Sequence, residues 1–538
     1  MRSFKTSTFV RDATGLTKQI SSLDALGMSL SGMGLLYVFN TVAFTPAFYP
    51  TANPLVGPLV GLLLVLPIAL MYALLAITMP RSGGDYVWTS RVLNPGLGFV
   101  INFAITVLSL SIVGSVGPWI PNWSLGPMFY DLGLIWHSQA DLNIASYLQG
   151  ASASFWITSA FLAFAAAVVI FSTRLSSAIV KYWTLSAIVI GAIFVGVVLY
   201  AGNSGFISNF DSIYASSGIS YASVIQAGQA GGAYSGVPPV FSSSTLYAGA
   251  LGLLGYLAFY YPAYFAGEVK QSKRTQLLAQ VGSVFIFAVV TTILVVVEYF
   301  GEGPSFVNAM ANLWNSGSSS YPYLNIPLAS SLSVFWTQNP VLVSLFNLSF
   351  GITVEVMNIA ILFTLSRNLF AWSFDRIVPS SFASLNSRTR TPVNAVIVMT
   401  VVSVAYLYIA VFQSGLLSTL FSYGTAGIFL AFVFVSLAAI VLPYRRKDIF
   451  ESGDTITRSK LLGIPVITIL GLLSLVVSLI SVYAIILPSI GGPSFFSVLL
   501  YGLIPTFAIG IAIYAVALAL RRTQKINLGL IAREIPPE

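Results

Sequence analysis

The sequence predicts an all-α integral membrane protein with twelve transmembrane helices. Charged residues make up only 7% of the 538 residues, whereas a soluble domain has about 25%. Hydrophobic residues make up 57% of the chain. Twelve apolar segments are long enough to cross the hydrocarbon core, which takes about 20 helical residues. The bilayer must therefore be the solvent for most of these side chains.

The twelve segments follow one another with polar stretches between them. Their approximate bounds are 24–49, 54–79, 96–120, 154–173, 179–202, 246–268, 278–300, 340–367, 392–412, 416–443, 461–488 and 494–520. The division between the ninth and tenth segments, at VFQSGLLS, is the least distinct. The predicted organisation is an N-terminal tail (1–23), five spans (24–202), an extracellular loop (203–245), five further spans (246–443), two more spans (461–520) and a C-terminal tail (521–538).

The distribution of basic residues predicts the orientation. With the N-terminus inside and the spans alternating, all 24 Lys and Arg residues fall in inner segments and none in outer ones, as the positive-inside rule expects. Both tails are then cytoplasmic, and the net charge of +8 favours the anionic inner leaflet of the plasma membrane. Nucleic-acid binding is disfavoured because the basic residues are scattered among short loops. The stretch MRSFKTSTFVRDATGLTKQ lacks an apolar core, so we expect a retained tail and not a signal peptide.

Composition also limits the chemistry. The chain has no Cys and one His, His137, so disulfides, thiolate chemistry and His-based metal sites are disfavoured. We expect no cofactor and no metal centre, and His137 lies in a predicted outer loop where a ligand role is not expected. The outer segments 203–245 and 301–339 are rich in Ser, Gly, Tyr and Asn. Two readings remain open for them: a surface cover, or a gate over a site.

Two spans contain signals that interrupt a helix. The first span has SLSGMG at its centre, Ser29 to Gly34, and Gly disfavours a helix interior. The sixth span contains Gly255 and Pro262, and Pro removes one helical hydrogen bond. Each signal has an alternative explanation: a small-residue face for close helix packing in the first span, and a simple Pro kink in the sixth.

The two interruptions occupy matching places, because spans one and six each begin a set of five. Paired interrupted helices at matching positions indicate an inverted-repeat transporter with a site near the bilayer midplane. Broken helices leave N–H and carbonyl groups free, which favours a carboxylate at helix N-termini and a cation at C-terminal ends. A zwitterion with an α-carboxylate and an α-ammonium group satisfies both.

Three stretches resemble signatures of the amino acid–polyamine–organocation (APC) superfamily of permeases. MPRSGGDYVWTSRVLNPGLGFV (Met79–Val100) is similar to its P-x-SGG-x-Y-x-Y…GP-x-x-GF pattern. SRNLFAWSFDRIVPSSFASLNSRTRTPVNAV (Ser366–Val396) resembles the run that follows the eighth helix, and YLAFYYPAYFAGEVKQSKRT (Tyr256–Thr275) resembles the sixth-helix run. Ala258 stands where the family usually has Gly, Tyr260 where an acidic residue is frequent, and Gln271-Ser272 where Asn-Pro is usual.

The resemblance implies a LeuT-like fold, with spans 1–5 and 6–10 as inverted repeats plus two C-terminal helices, and transport by alternating access. It also implies substrate contacts from helices 1, 3, 6 and 8. The expected substrate-binding residues are Ser29, Ser31, Gly32, Met33, Gly34, Tyr256, Ala258, Phe259 and Tyr260. SGGDYVWTSR is expected beneath the site as an inner gate element, with Glu268-Val-Lys270 ending helix 6; ordinary turns and helix ends are the alternative.

Few acidic residues lie within spans. Glu355 is the deepest, about 18 Å from the inner end at Arg367 at 1.5 Å per residue, and an intramembrane carboxylate is a functional hypothesis by default. We assign Glu355 to coupling or side-chain recognition; a structural carboxyl is the alternative. Asp24 is expected to cap the first helix, and Lys181 to snorkel to the inner interface. Glu298 and Glu302 are expected to be solvated at the outer end of span seven.

The predicted function is a secondary active transporter that imports amino acids or related organic cations. H⁺ symport ranks ahead of Na⁺ symport, which Thr364 and Ser366 leave open. Alternatives are an amino acid/polyamine exchanger, a membrane-embedded enzyme and a channel. The expected partners are a small amino acid or amine substrate, a coupling H⁺ or Na⁺, and the lipid bilayer, with no nucleic acid.

Overall fold

A computed structural model describes residues 16, 18–36, 39–413, 417–486 and 498–531. Most of the predicted N-terminal tail and residues 532–538 of the C-terminal tail therefore lie outside the described residues. Part of the division at VFQSGLLS and the start of the twelfth segment lie outside them as well. Within the described ranges, ten helices are long and apolar enough to cross a membrane. They coincide with ten of the twelve predicted segments. The other two segments are the first and the sixth, where the helices are interrupted.

The helices run in chain order with two short strands near the C-terminal quarter. They are α1 (Ser22–Met33), α2 (Phe39–Phe48), α3 (Gly57–Thr78), α4 (Asp85–Val92), α5 (Pro95–Val116), α6 (Gly126–Trp136), α7 (Gln139–Leu148), α8 (Ala151–Phe171), α9 (Thr173–Tyr214), α10 (Tyr221–Ala230), α11 (Ser243–Leu254), α12 (Tyr261–Tyr264), α13 (Ser272–Gln276), α14 (Ser283–Glu302), α15 (Pro304–Asn315), α16 (Pro340–Phe374), α17 (Val393–Phe412), α18 (Leu417–Arg445), α19 (Lys447–Ser452), α20 (Val466–Ile486), α21 (Ile504–Thr523) and α22 (Leu528–Ile531). The antiparallel strands are β1 (Lys460–Leu461) and β2 (Ile464–Pro465).

The third span of each set of five begins in the same way. Asn94 caps α5 by accepting hydrogen bonds from the next backbone amides, and Pro95 takes the first helical position. Asn339 and Pro340 do the same for α16. An Asn cap satisfies exposed N–H groups, and Pro fits the first turn because its missing N–H has no partner there. α16 is the most enclosed candidate span, with 89% of its most apolar window buried.

Contacts between loops gather the basic residues at one end of the molecule, which we call the basic end. Arg446 Nη1 donates to the carbonyl of Arg91 at 2.9 Å, and Arg521 Nε donates to the carbonyl of Arg376 at 2.8 Å. Lys273 Nζ pairs with Asp454 at 2.9 Å. These contacts join inter-span segments that the alternation of spans puts on one side.

The segments assigned to the outer side meet at the opposite end. Tyr214 donates to the carbonyl of Pro322 at 2.9 Å, and Asn53 Nδ2 donates to the carbonyl of Pro238 at 2.8 Å. α9 continues past residue 203, where the extracellular segment is predicted to start, and ends at Tyr214. Gly202 interrupts α9 with φ 61° and ψ −178°, a conformation open to Gly.

A cover closes the opposite end. We use this name for residues 303–339, which include α15 and the short helical turn Ser331–Phe335. Aromatic rings attach the cover to the extension of α9: the ring centroids of Phe206 and Phe306 lie 5.4 Å apart, and those of Phe210 and Phe335 lie 4.9 Å apart. The segment predicted as a long loop is thus a packed layer.

Candidate functional site

The first span is interrupted where its small residues cluster. α1 ends at Met33, and Gly34 adopts the left-handed conformation with φ 71°. The N–H of Gly34 donates to the carbonyl of Ser31 at 3.0 Å, which closes the last turn. Helical backbone resumes at Phe39 with α2. The sequence prediction of a break in this span is confirmed.

The sixth span is interrupted at the stretch that contains the three tyrosines. α11 ends at Leu254, and regular helix returns only for the four residues of α12. Between them Ala258 has φ 86°, a backbone conformation that residues other than Gly rarely adopt. The break therefore lies before Pro262, which occupies the first turn of α12, where Pro is well tolerated.

The two interruptions touch each other. A β-carbon added to Gly32 would lie 2.5 Å from Cε2 of Tyr261 and 2.7 Å from Cβ of Ala258. Both separations are far below van der Waals contact, so only Gly fits at this position. The backbone of the first span at Gly32 thus packs against side chains of the sixth span, at the level where both spans depart from helical geometry.

A cavity of about 60 Å³ lies beside this contact. It is lined by Gly32, Met33, Ser109, Ile112, Val116, Trp119, Leu254, Leu257, Ala258, Tyr260, Tyr261, Met357, Ile361 and Ile428. The lining side chains are mainly apolar, with a hydroxyl from Ser109 and phenols from Tyr260 and Tyr261. No charged side chain belongs to this lining. The cavity can accommodate a small apolar group beside a few hydrogen-bonding hydroxyls.

Four residues expected at the site line the cavity: Gly32, Met33, Ala258 and Tyr260. The other five do not belong to its lining. Ser31 Oγ hydrogen-bonds the hydroxyl of Thr184 at 2.7 Å and so joins α1 to α9, while Gly34 ends α1.

The remaining expected residues hold the interrupted spans in place. The hydroxyl of Tyr256 donates to the carbonyl of Pro58 at 2.6 Å, which ties the sixth span to α3. Ser29 Oγ donates to the carbonyl of Phe259 at 3.4 Å, and the ring of Phe259 packs against Tyr72 with centroids 5.7 Å apart. These side chains stabilise the joint between the spans.

Sequence reasoning named no cavity residue on the third and eighth spans. The lining of α5 consists of Ser109, Ile112 and Val116, and that of α16 consists of Met357 and Ile361. Both helices are apolar on most sides, so no periodic pattern marks the side that faces a cavity. Tyr261 also lines the cavity, and the sequence prediction did not include it.

Glu355 is buried in α16 but does not belong to the cavity lining. Its side chain is 5% exposed, and neither of its carboxyl oxygens has a hydrogen-bond partner among the described residues. The amide of Asn358, one turn along, likewise has no partner there. Glu355 precedes Met357 by two residues, about 200° around a helix of 3.6 residues per turn, so it points away from the cavity.

A buried ion pair closes the basic end beneath the interruptions. Arg367 Nε and Nη2 donate to the two carboxyl oxygens of Glu268 at 2.8 and 3.1 Å. The pair joins the end of the sixth span to α16, and both side chains are almost fully buried. The carbonyl of Glu268 also accepts from the N–H of Ile20 at 3.1 Å, which ties the sixth span to the segment before α1.

The SGGDY segment packs against the second half of the sixth span. The N–H of Gly83 donates to the carbonyl of Tyr264 at 2.8 Å. Asp85 accepts hydrogen bonds from Asn102 at 2.6 Å and from the hydroxyl of Tyr264 at 2.9 Å. Burial raises the pKa of Asp85 to about 6, although the hydrogen bonds from Tyr264 and Asn102 oppose this increase. The carboxyl therefore titrates near physiological pH.

Asp24 and Lys181 form an ion pair with each other. Lys181 Nζ lies 2.7 Å from a carboxyl oxygen of Asp24. Asp24 also completes a capping box with Ser21 at the start of α1. The expected capping role of Asp24 is confirmed. Lys181 joins α9 to the start of α1, and its side chain remains 25% exposed.

Comparison with known proteins gives the family. None of the curated protein sequences compared with the chain matches it. The model of the amino acid permease family matches residues 20–514, which includes the interrupted spans, the cavity and the SGGDY segment. Family membership indicates transport, and the many apolar helices agree with a multi-pass membrane protein. The chain therefore belongs to the amino acid permeases of the APC superfamily.

Proposed function

We propose that this permease is a secondary active transporter that carries amino acids across the plasma membrane by alternating access, with H⁺ symport as the coupling mode. The proposal includes a LeuT-like arrangement, in which spans 1–5 and 6–10 are inverted repeats. The contact between the two interrupted spans at Gly32 carries this proposal. The matching Asn-Pro starts of α5 and α16 support it as well.

The cavity favours amino acids with small uncharged side chains. Its lining is apolar apart from three hydroxyl groups, so a charged substrate side chain would lose hydration without gaining a partner. In this proposal the backbone at the interruptions would bind the α-carboxylate and the α-ammonium group. Polyamines and other organic cations fit less well, because no carboxylate lines the cavity.

Closure at the basic end supports the alternating-access part of the proposal. The Glu268–Arg367 pair and the backbone hydrogen bonds of Ile20 fasten the sixth span beneath the cavity. For release to the cytoplasm these contacts must separate. We propose cytoplasmic tails, which puts the basic end inside.

Glu355 remains the proposed coupling residue, acting through α16 because it does not face the cavity. Glu355 is buried, and neither of its carboxyl oxygens has a hydrogen-bond partner among the described residues. Protonation and deprotonation of Glu355 would then change the packing of the helix that also carries Met357, Ile361 and Arg367. An exchanger is the alternative within transport.

Purified permease in proteoliposomes tests the function. We expect saturable uptake of labelled alanine, valine or leucine, faster with an inward pH gradient, and little uptake of labelled arginine or putrescine. A matched liposome without protein is the control. Uptake that requires internal substrate and ignores the pH gradient would favour exchange, and absence of any amino acid transport would overturn the proposal.

A further inference from the structure

The carboxyl groups of Glu298 and Glu302 at the end of α14 are buried, which corrects the sequence prediction that they are solvated. Their residues are 1% and 2% exposed. They stand four residues apart and so face the same side of the helix. Both carboxyl oxygens of Glu298 and Oε1 of Glu302 have no hydrogen-bond partner among the described residues.

Neighbouring elements enclose this pair from several sides. The backbone amide of Ala329 in the cover faces Glu298. The hydroxyl of Tyr221 on α10 donates to the carbonyl of Glu302 at 2.7 Å, and the phenol of Tyr321 lies near the Glu302 carboxylate. Asp211 stands one layer further out, accepting from the N–H of Tyr221 at 2.6 Å. These surrounding titratable groups are neutral or negative.

Among the described residues, no basic side chain forms an ion pair with either glutamate. The sequence contains no Lys, Arg or His between residues 182 and 269, or between residues 275 and 366. All basic residues other than His137 belong to the tails and to segments assigned to the basic end. Two carboxylates in a buried site cannot both remain ionised without a cation, because each raises the electrostatic penalty of the other.

An unpaired donor is aimed at the same turn of α14. Trp336 is 3% exposed, and its Nε1 has no hydrogen-bond partner among the described residues. Nε1 lies 3.4 Å from the position of a β-carbon at Gly301, between the two glutamates in sequence. An indole N–H needs an acceptor. A carboxyl oxygen of Glu298 or Glu302 supplies one when that glutamate side chain rotates toward Nε1 of Trp336.

We propose that Glu298 and Glu302 form a proton-binding site beneath the cover, which holds at least one proton at neutral pH. Uptake transfers one proton from water at the opposite end to a carboxylate oxygen, and release returns it. The site is separate from Glu355, and a proton held there does not depend on which substrate the permease carries. The test therefore measures protonation of the carboxyl groups, which can be detected even if the protein transports no substrate.

Infrared spectroscopy of the purified full-length protein at neutral pH tests the site. Protonated carboxyl groups give a C=O band that shifts in D₂O and disappears when the group becomes an amide. We expect the double variant Glu298→Gln/Glu302→Gln to lose the part of this band that the site contributes. Each single variant should change the band in frequency or area, because the remaining carboxyl then holds its proton without its neighbour. Glu355→Gln reports its own contribution separately.

Glu451→Gln on α19 is the matched control, because this carboxyl is exposed and lies outside the proposed site. If the double variant does not fold, the two single variants carry the test. An unchanged band in both single variants would overturn the proposal. A thermal stability that rises with Na⁺ over N-methylglucamine, and loses this rise in Glu298→Gln, would also overturn it in favour of a metal ion.

Discussion

At the residue scale, Gly32 and Ala258 determine whether the interrupted spans can meet. Gly32 leaves no room for a β-carbon against Tyr261 and Ala258. Ala258 holds a conformation with φ 86°, which costs a residue with a β-carbon about 1–2 kcal/mol. The strain is located where the two breaks and the cavity coincide, as is common for backbone strain in functional sites.

Gly32→Val should abolish amino acid uptake, since its side chain would separate the first span from Tyr261. The same proteoliposome uptake assay measures this effect. Gly196→Val on α9 is the control, because nothing lies within 4 Å of a β-carbon at that position. Uptake by Gly32→Val equal to that of the parent protein would contradict the assignment of this contact to the transport site.

The sequence predicts the residues whose role depends on the backbone, but not those whose role depends on burial by other segments. Gly34 indicates the break in the first span because its conformational preference is intrinsic, whereas the sixth span breaks at Ala258, before Pro262. The burial of Glu298 could not be predicted, since it depends on a cover made of residues 303–339. Tyr256 was expected at the site, but its hydroxyl donates a hydrogen bond to the carbonyl of Pro58 on α3.

At the scale of elements, the Glu268–Arg367 pair fastens the sixth span to α16. A buried pair gains little over apolar neighbours, because desolvation offsets the attraction between the charges. Removal of one partner is much more harmful, since the other charge is left buried alone. The pair therefore serves mainly to fix one arrangement of the two helices at the basic end.

Arg367→Met should lower the free energy of unfolding by about 3 kcal/mol, because Glu268 keeps a buried charge without a partner. The double variant Glu268→Gln/Arg367→Met should recover most of this loss. Thermal unfolding in detergent measures both.

Lys273→Met is the control, because Lys273 and Asp454 form an exposed pair expected to contribute less than about 1 kcal/mol. Equal loss in the single and double variants would show that Arg367 acts through packing alone.

At the scale of the whole molecule, the alternation of twelve spans was the strongest sequence prediction. It rests on charge and hydropathy, which follow from the bilayer and need no knowledge of packing. The hydrogen bond from Arg446 to Arg91 and that from Arg521 to Arg376 join segments distant in sequence. The cavity could not be predicted to the same degree, because it depends on which sides of α5 and α16 face inward.

The absence of Cys in the sequence permits a direct test of orientation. We expect Ser319→Cys in the cover to react with a membrane-impermeant maleimide on intact cells. Ser459→Cys, near β1 at the basic end, should react only after the membrane is permeabilised. Both side chains are exposed, so access to the reagent decides the result. The reverse pattern would invert the proposed orientation.

Asp85 should make the stability of the fold depend on pH. Burial raises its pKa from 3.8 to about 6, so the folded protein binds this proton more tightly than the unfolded chain. The stabilisation is complete below about pH 4 and is lost as the pH rises through 6, by about 3 kcal/mol at most. In Asp85→Asn this decrease should be absent.

Melting temperatures of both proteins between pH 4 and pH 7 measure the difference. The pKa of Asp448 is lowered by its hydrogen bond from Arg446, and the pKa of Asp454 is also lowered, first by the amide of Ile456. These two carboxyls titrate below the tested range. Parallel pH profiles for the parent protein and Asp85→Asn would contradict the assignment to Asp85.

The break at Gly202 separates α9 into a membrane part and an extension whose rings interlock with Phe306 and Phe335. Among the described residues, no atom beyond the adjacent turns of α9 lies within 4 Å of the place a β-carbon would take at Gly202. The extension is also fastened to its neighbours, because Asn203 Nδ2 donates to the carbonyl of Gly301 at 3.2 Å and Asn209 Nδ2 donates to the carbonyl of Phe335 at 3.1 Å. Turning the backbone at Gly202 would therefore move the extension only if these side-chain bonds also broke.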